Sequence, residues 1–170
     1  LSEIPIHISK ERTRVFLKIQ DGCDDFCTFC VIPYARGKNR SLSSNHVIRQ
    51  IQILVEEGVK EVVLTGVSLG SYGSDCCENL SGLVRRIEHE TGLLRLRISS
   101  LEPEDVDDTL LDVLQESPIF CPHFHLPLQA GHDEILQRMR RNYSLSEYAS
   151  LIKKIKNSFK DVFIGIDIIC

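Results

Sequence analysis

The sequence predicts an α/β fold in which parallel strands line the inside of a partial barrel and helices cover its outside. Short apolar segments alternate with longer amphipathic ones along the 170 residues. The short segments are too apolar to face water on either side, which is typical of parallel strands covered by helices. Because crossovers between parallel strands are right-handed, successive strand–helix units would curl into part of a barrel.

Five segments are predicted as strands, at 15–19, 62–65, 94–98, 123–126 and 162–169. No helix follows the fifth strand, so we expect the barrel to be truncated there and the sequence to be part of a longer protein. The barrel is assigned to residues 14–170. Residues 1–13 are assigned to a linker from an N-terminal domain outside this sequence.

The predicted helices begin at residues that satisfy free backbone N–H groups. A short helix after the fourth strand should turn Ile135, Leu136 and Met139 inward. The expected first residues or caps of the others are Ser43 or Ser44, Asn79, Pro103, and the capping box formed by Ser144 and Glu147.

Composition excludes several classes of protein. With 42% hydrophobic and 26% charged residues, the chain is globular and not disordered. A net charge of −4 argues against a surface that coats nucleic acid, although a local basic patch is compatible with it. No apolar run approaches transmembrane length, so no membrane association is expected. Seven unevenly spaced cysteines without a secretion signal favour thiols or metal ligands in a reducing compartment, which predicts a cytoplasmic protein.

Three of those cysteines, Cys23, Cys27 and Cys30, follow the first predicted strand directly. Their spacing lets three thiolates converge on one metal centre and leaves a position open for another ligand. In parallel barrels the active site lies at the carboxyl ends of the strands, which is where this loop is predicted to lie. The loop is therefore a candidate for an iron–sulfur cluster with one open iron.

Two alternatives remain for the same cysteines. A structural zinc site needs four closed ligands, and His7, Cys76 or Cys121 could supply the fourth. Simple buried thiols are the other alternative.

The C-x3-C-x2-C loop, with Phe29 before its last cysteine, resembles the loop of the radical S-adenosylmethionine (radical SAM) superfamily. The resemblance implies that Cys23, Cys27 and Cys30 hold a [4Fe-4S] cluster whose open iron binds SAM. It further implies that an electron from the cluster cleaves SAM to a 5′-deoxyadenosyl radical. The expected fold is then a partial barrel of the radical SAM type.

Four stretches of the sequence are similar to the methylthiotransferases of that superfamily, namely 30–41, 64–73, 125–131 and Met139-x-Arg141-x-Tyr143. Segment 97–103 resembles the branch that acts on N6-threonylcarbamoyladenosine in tRNA. The resemblance implies methylthiolation of C2 of that adenosine, next to the anticodon. Two substrates stay open within the family, isopentenyladenosine in tRNA and a ribosomal protein. A zinc-stabilised binding module without catalysis is the alternative from another class.

The family resemblance also carries expectations about the whole protein. Its members hold a second [4Fe-4S] cluster in an N-terminal domain and bind RNA through a small C-terminal domain. The expected partners are tRNA and an electron donor such as flavodoxin or ferredoxin. The sequence departs from the family at Ala130 and His132, where serines are common, and does not predict an oligomeric state.

Four residues at strand ends are candidates for binding SAM, namely Gly66, Ser100, Glu102 and Gln129. Gly66 could equally be a turn glycine. One of the polar side chains before Pro103 could instead cap the helix that follows, and would then have no role in the site.

Basic residues form two further groups. Arg36, Lys38 and Arg40 could contact tRNA phosphates or the SAM carboxylate, or could lie on a solvated loop. The other three, Arg138, Arg140 and Arg141, follow a short helix, whose dipole alone favours cations there.

The remaining histidines and cysteines are assigned structural places. His123 and His125 share one face of the fourth strand, where lining the barrel by hydrogen bonding is favoured over holding a metal. Cys76 and Cys77 are interpreted as incidental, and Cys121 and Cys170 as small core residues.

Overall fold

The computed structural model describes residues 13–169, so residues 1–12 of the predicted linker and Cys170 lie outside the described part. The strands are β1 (Val15–Lys18), β2 (Gln20–Asp21), β3 (Arg40–Ser41), β4 (Glu61–Thr65), β5 (Arg95–Ile98), β6 (His123–His125) and β7 (Phe163–Gly165). The helices are α1 (Ile32–Arg36), α2 (Ser44–Glu56), α3 (Leu80–Glu90), α4 (Asp108–Glu116), α5 (Asp133–Arg138) and α6 (Leu145–Ser158). Two 3-10 turns occupy Leu69–Ser71 and Pro103–Asp105.

Five parallel strands form the wall of the partial barrel. β1, β4 and β5 pair in that order, and β6 pairs with β7. Parallel bridges from Leu96 to Phe120 and from Ser100 to His125 join the two groups. The predicted α/β architecture is therefore observed, with helices between successive parallel strands. The short antiparallel pair of β2 and β3 was not predicted, and it closes the base of the cysteine loop.

The strands of the wall have two different faces. Apolar side chains on the outer face are buried beneath the helices: Val15, Leu17, Val62, Leu64, Leu96, Ile98 and Phe124. The inner, concave face carries Phe16, Lys18, Arg97 and His123, which all stay partly exposed. The concave face and the carboxyl ends of the strands are therefore open to ligands.

Most predicted caps are observed. The side chain of Ser43 accepts a hydrogen bond from the N–H of His46 at the start of α2, and Asn79 accepts one from Gly82 in α3. The capping box at the start of α6 is formed by Ser144 and Glu147, as predicted.

Two helix predictions are wrong in detail. Pro103 begins a 3-10 turn and not α4, because Asp107 caps α4 by accepting a hydrogen bond from the N–H of Leu110 at 2.7 Å. In α5, Leu136 is fully buried but Ile135 is 38% exposed, since this short helix presents only a narrow face to the core.

The fifth predicted strand, 162–169, is shorter than expected. β7 covers only Phe163–Gly165, and its partner β6 leads into Pro127, which has no N–H to donate. Pairing resumes at Gln129, whose N–H donates to the carbonyl of Asp167 at 2.9 Å. Among residues 13–169 no helix is long and apolar enough to cross a membrane.

Candidate active site

The cysteine loop leaves the carboxyl end of β1 and is closed at its base by backbone contacts. The N–H of Cys23 donates to the carbonyl of Gly37 at 3.1 Å, and the N–H of Cys30 to that of Cys27 at 3.0 Å. Gly22 has φ +77°, and a Cβ there would lie 2.0 Å from the carbonyl oxygen of Lys38. Only glycine fits at that point, so the backbone enters the cysteine loop in this left-handed conformation.

Gln20 and Asn39 hold the two sides of the loop base together, and the sequence analysis missed both. The Gln20 side chain is fully buried; its Nε2 donates to Asn39 Oδ1 at 2.5 Å, and its Oε1 accepts from the N–H groups of Val67 and Ser68. Asn39 in turn donates to Ser74 Oγ at 2.7 Å. A polar residue directly after the apolar run 15–19 is the signal that could have found Gln20, because such a residue needs buried partners.

The three thiols have different surroundings. All are free and partly exposed. Cys23 donates to Asp25 Oδ2 at 3.0 Å, and burial, followed by the Asp25 carboxylate, raises the pKa of the Cys23 thiol to about 12. Cys27 Sγ instead accepts a hydrogen bond from Arg141 Nη1 at 3.2 Å.

Their chemistry fits an iron–sulfur cluster. Three soft sulfur donors stand on one loop, and a buried guanidinium already faces one of them. As placed, no three His, Cys, Asp or Glu side chains within 13–169 form a group that could hold a metal ion. Metal binding would displace the thiol protons, since thiolates are the ligands.

Arg141 joins the cysteine loop to the end of β5. Its side chain is only 4% exposed, and its guanidinium donates to Glu102 Oε2, to Tyr143 Oη and to Cys27 Sγ. The sequence analysis assigned Arg141 to the dipole of α5, but the structure buries it between two candidate site residues. Glu102 is free for this contact because Asp107, and not a residue before Pro103, caps α4.

A second polar group lies at the ends of β5, β6 and β7. Ser100 Oγ lies 2.6 Å from His125 Nδ1, and His125 Nε2 lies 3.3 Å from Asp167 Oδ2. The prediction that both histidines line the barrel by hydrogen bonding is therefore observed for His125, but Nδ1 of His123 is buried without a partner among residues 13–169. His123 stacks on Phe163 with ring centroids 5.2 Å apart.

Gly66 and Gln129 are both placed by backbone geometry. A Cβ on Gly66 would lie 2.7 Å from Gln20 Oε1, so this position requires glycine for packing. Gln129 has φ +69°, and its backbone pairs with Asp167 and Ile169 after β7 begins to diverge from β6. Both residues lie at the carboxyl ends of strands, as predicted.

The basic segment after the cysteines is largely engaged within the protein. Arg36 and Arg40 lie 3.1 and 3.6 Å from the carboxylate of Asp21, and Lys18 lies 2.8 Å from it. Although burial alone raises it, hydrogen bonds from Lys18, the Gly22 N–H and Arg36 lower the pKa of Asp21 to about 2. Lys38 contributes its backbone carbonyl, which accepts from Arg40 Nη1 at 3.3 Å.

Two carboxyl groups behind the site have raised pKa values. Burial, followed by the charges of Glu104 and Asp25, raises the pKa of Asp105 to about 6, and burial also raises that of Glu104. The other cysteines among residues 13–169 are placed as expected: Cys76 and Cys77 are exposed, and Cys121 is buried; the expectation for Cys170 falls outside these residues.

The chain is similar to known proteins over most of its length. The radical SAM superfamily matches residues 17–170. A threonylcarbamoyladenosine tRNA methylthiotransferase MtaB of Bacillus subtilis (strain 168) is 41% identical, over 98% of this chain and 38% of that protein. A tRNA-2-methylthio-N(6)-dimethylallyladenosine synthase of Lawsonia intracellularis is 40% identical, over 91% of this chain and 35% of that protein. The chain thus spans less than two-fifths of these relatives.

Solved structures share the fold. The radical S-adenosylmethionine methyltransferase TsrM of Kitasatospora setae superposes with a TM-score of 0.71 at 16% identity, over 90% of this chain and 30% of that one. Methylornithine synthase (PylB) gives 0.61 at 19% identity, over 90% and 44%.

The family match covers the cysteine loop and every strand end described above, from β1 to β7. It confirms three predictions: the partial barrel, an enzyme, and a [4Fe-4S] cluster with SAM as cofactors. By sequence and by fold, this chain belongs to the radical SAM superfamily.

Proposed function

We propose that this chain is the radical SAM domain of a tRNA methylthiotransferase that modifies C2 of N6-threonylcarbamoyladenosine next to the anticodon. One observation carries the proposal. Three free thiols stand on one loop at the carboxyl end of β1, with a buried arginine against one of them, in a chain of this superfamily.

Cys23, Cys27 and Cys30 would hold the [4Fe-4S] cluster and leave one iron open. With SAM bound there, the reduced cluster would supply the electron that cleaves SAM to methionine and a 5′-deoxyadenosyl radical, and that radical would abstract hydrogen from C2. Gly66, with its packing against Gln20, would shape the turn that SAM approaches after β4.

Polar side chains at the next strand ends would orient SAM. Ser100, held by His125, would present its hydroxyl oxygen at the end of β5. Glu102 would affect SAM binding mainly by holding Arg141 in place. Gln129 would approach SAM from the end of β6. Arg36 and Arg40 are engaged with Asp21, which leaves Lys38 as the more available cation for an RNA phosphate or the SAM carboxylate.

The choice of substrate rests on segment 97–103. Relatives named for threonylcarbamoyladenosine and for dimethylallyladenosine match at similar identity, 41% and 40%. Segment 97–103 favours the first, and it contains two residues, Ser100 and Glu102, that lie in the candidate site. Methylthiolation of isopentenyladenosine (dimethylallyladenosine) is the second candidate, because the relatives named for it match this chain at nearly the same identity.

The rest of the proposal concerns the full-length protein. A second [4Fe-4S] cluster would provide the sulfur that is transferred, and domains outside this chain would bind tRNA, in keeping with the net charge of −4. An electron donor such as flavodoxin or ferredoxin would reduce the cluster. We place the protein in the cytoplasm, where tRNA and reduced thiols are available.

Nucleoside mass spectrometry of tRNA from cells lacking the full-length gene tests the substrate. We expect 2-methylthio-N6-threonylcarbamoyladenosine to disappear and to return with the intact gene, but not with a Cys27→Ala copy. Loss of methylthiolated isopentenyladenosine instead would assign the second substrate. If neither nucleoside changes, tRNA is not the substrate and a ribosomal protein becomes the candidate.

Anaerobic reconstitution with iron and sulfide tests the class of protein. We expect a brown chain with about four irons. A colourless chain that retains zinc would instead support the zinc-stabilised binding module.

A further inference from the structure

We infer that Arg141 is a positioning residue that sets the reduction potential of the cluster through its hydrogen bond to Cys27. The inference rests on the proposed role of Cys27 as a cluster ligand. Arg141 lies 114 positions from Cys27 in the sequence and would nevertheless be part of the electronic environment of the cluster.

The backbone aims Arg141 inward. The N–H of Arg141 donates to the carbonyl of Leu136, and that of Arg140 to the carbonyl of Gln137, both at 2.9 Å. This is the Schellman pattern at the end of α5, with Arg140 in the left-handed region at φ +58°. The turn reverses the chain so that Arg140 faces solvent and Arg141 is buried.

The guanidinium is held from three sides. Nη2 pairs with Glu102, Nε donates to Tyr143 Oη at 3.3 Å, and Nη1 donates to Cys27 Sγ at 3.2 Å. Tyr143 is fixed in turn, because its hydroxyl lies 3.0 Å from the carbonyl oxygen of Leu128. A donor fixed in this way keeps its direction when the charge on the sulfur changes.

The cysteine loop is tied to the same turn by its backbone and by Thr28. The Thr28 N–H donates to the carbonyl of Met139 at 3.3 Å, and its hydroxyl donates to that of Arg138 at 3.1 Å. These two bonds hold the loop without Arg141. Arg141 is therefore not needed merely to close the loop, and its contact with the sulfur has a separate effect.

That effect follows from charge. Hydrogen bonds to ligand sulfurs and the net charge around a cluster set its potential. Reduction adds an electron, and a buried cation that donates to a thiolate stabilises the more negative, reduced state. Arg141 therefore raises the potential, and Glu102, which partly neutralises it, lowers the potential.

The test is an electron paramagnetic resonance redox titration of the chain reconstituted anaerobically with iron and sulfide. In Arg141→Gln we expect the reduction equilibrium constant to fall about tenfold, or about 59 mV for one electron. In Glu102→Gln we expect a shift of opposite sign. Arg138→Gln is the matched control, because that side chain is 72% exposed and pairs with Glu134 on its own helix; the cluster potential of this variant should not change.

Iron content separates this inference from the proposed function. Arg141→Gln should keep its irons, whereas Cys27→Ala should lose them. An unchanged potential in an iron-loaded Arg141→Gln chain would overturn the inference and leave the ligand assignment intact. A Cys27→Ala chain with full iron and the native potential would overturn both. If Arg141→Gln does not fold, Glu102→Gln becomes the deciding variant; it removes the carboxylate that partly neutralises Arg141, and an unchanged potential in its iron-loaded chain would also overturn the inference.

Discussion

Ser100 Oγ lies 2.6 Å from Nδ1 of His125, across the ends of two neighbouring strands. Asp167 Oδ2 lies 3.3 Å from Nε2 of the same ring, and in the tautomer whose Nε2–H faces this carboxylate, Nδ1 is an acceptor. In that tautomer the Ser100 hydroxyl donates to His125, and because Ser100 is exposed its oxygen can still accept from a donor such as a ribose hydroxyl or an ammonium group.

Replacing Ser100 by Ala should weaken SAM binding about tenfold, because one hydrogen bond of about 1.4 kcal/mol is lost. Isothermal titration of the reconstituted chain with SAM measures the affinity. Ser150→Ala, on the exposed side of α6, is the control and should bind as the parent does. Equal affinities in the two variants would remove Ser100 from the site.

The three loop cysteines should be individually essential for the cluster. Ala at Cys23, Cys27 or Cys30 removes one of three thiolates, so the chain should not retain about four irons after reconstitution and should not form 5′-deoxyadenosine from SAM. Iron analysis and chromatography of the products measure both effects. Cys76→Ala and Cys77→Ala, at exposed positions, should behave as the parent. Retention of SAM cleavage by any one of the loop variants would refute the ligand assignment.

Gly66→Ala should destabilise the chain by about 1 to 3 kcal/mol, because the new Cβ would lie 2.7 Å from Gln20 Oε1. Gln20 cannot move aside, since it is buried and its side chain bonds to the backbone of Val67 and Ser68. Urea unfolding measures the loss. Gly131→Ala is the control, because no atom lies within 4 Å of a Cβ placed there. If both variants unfold at the same urea concentration, Gly66 is not required for packing.

Arg140→Gly should stabilise the chain by about 1 kcal/mol. Arg140 has φ +58°, where a Cβ is unfavourable and glycine is not. Arg138→Gly, two positions earlier at the last residue of α5, should instead destabilise by up to about 1 kcal/mol, because glycine is a poor helix former. Thermal unfolding of the two variants gives the comparison, and a lower melting temperature for Arg140→Gly would contradict the assignment of the turn.

Glu61 should make stability depend on pH below neutrality. Burial raises its pKa, but hydrogen bonds from Arg95 at 2.9 Å and Arg97 at 2.8 Å lower it below the ordinary value of 4.5. A lowered folded pKa stabilises the protein above the unfolded pKa, and this stabilisation is lost as the pH falls through the folded value.

The substitution Glu61→Gln should therefore cost on the order of 1 to 2 kcal/mol at pH 7, and the difference from the parent should shrink as the pH falls below the ordinary glutamate value of 4.5. Urea unfolding at several pH values measures it. Glu116→Gln removes a pair with Arg85 in which both side chains are more than half exposed, and should have little effect at any pH. A difference for Glu61→Gln that does not shrink at all as the pH falls below 4.5 would show that charge is not its cause.

The wall of the barrel was predictable because its signals are local. The apolar run at Val15 and the caps at Asn79 and Ser144 depend on residues within a few positions of one another. The three cysteines were likewise found from their spacing.

The surroundings of the cysteines were not predictable in the same way. The burial of Arg141 depends on Arg140 adopting a left-handed conformation, for which an arginine gives no signal. Its partner Glu102 became available only because Asp107, and not the segment before Pro103, caps α4. The fifth strand is shorter than predicted because its pairing with β6 stops at Pro127. The apolar pattern of 162–169 gives no sign of this interruption.

The bonds from Thr28 and Cys27 to the turn at 138–141 join parts of the chain that are more than a hundred positions apart. Closing so long a segment costs conformational entropy, which is offset only when the elements between the two ends have packed. Contacts of this kind therefore form late in folding. During synthesis the cysteine loop would leave the ribosome long before its arginine. Iron loading into a fully ordered loop would therefore wait for the fourth strand–helix unit, and earlier loading would meet a loop held at its base by β2 and β3 but without the bonds from Thr28 and without its buried cation.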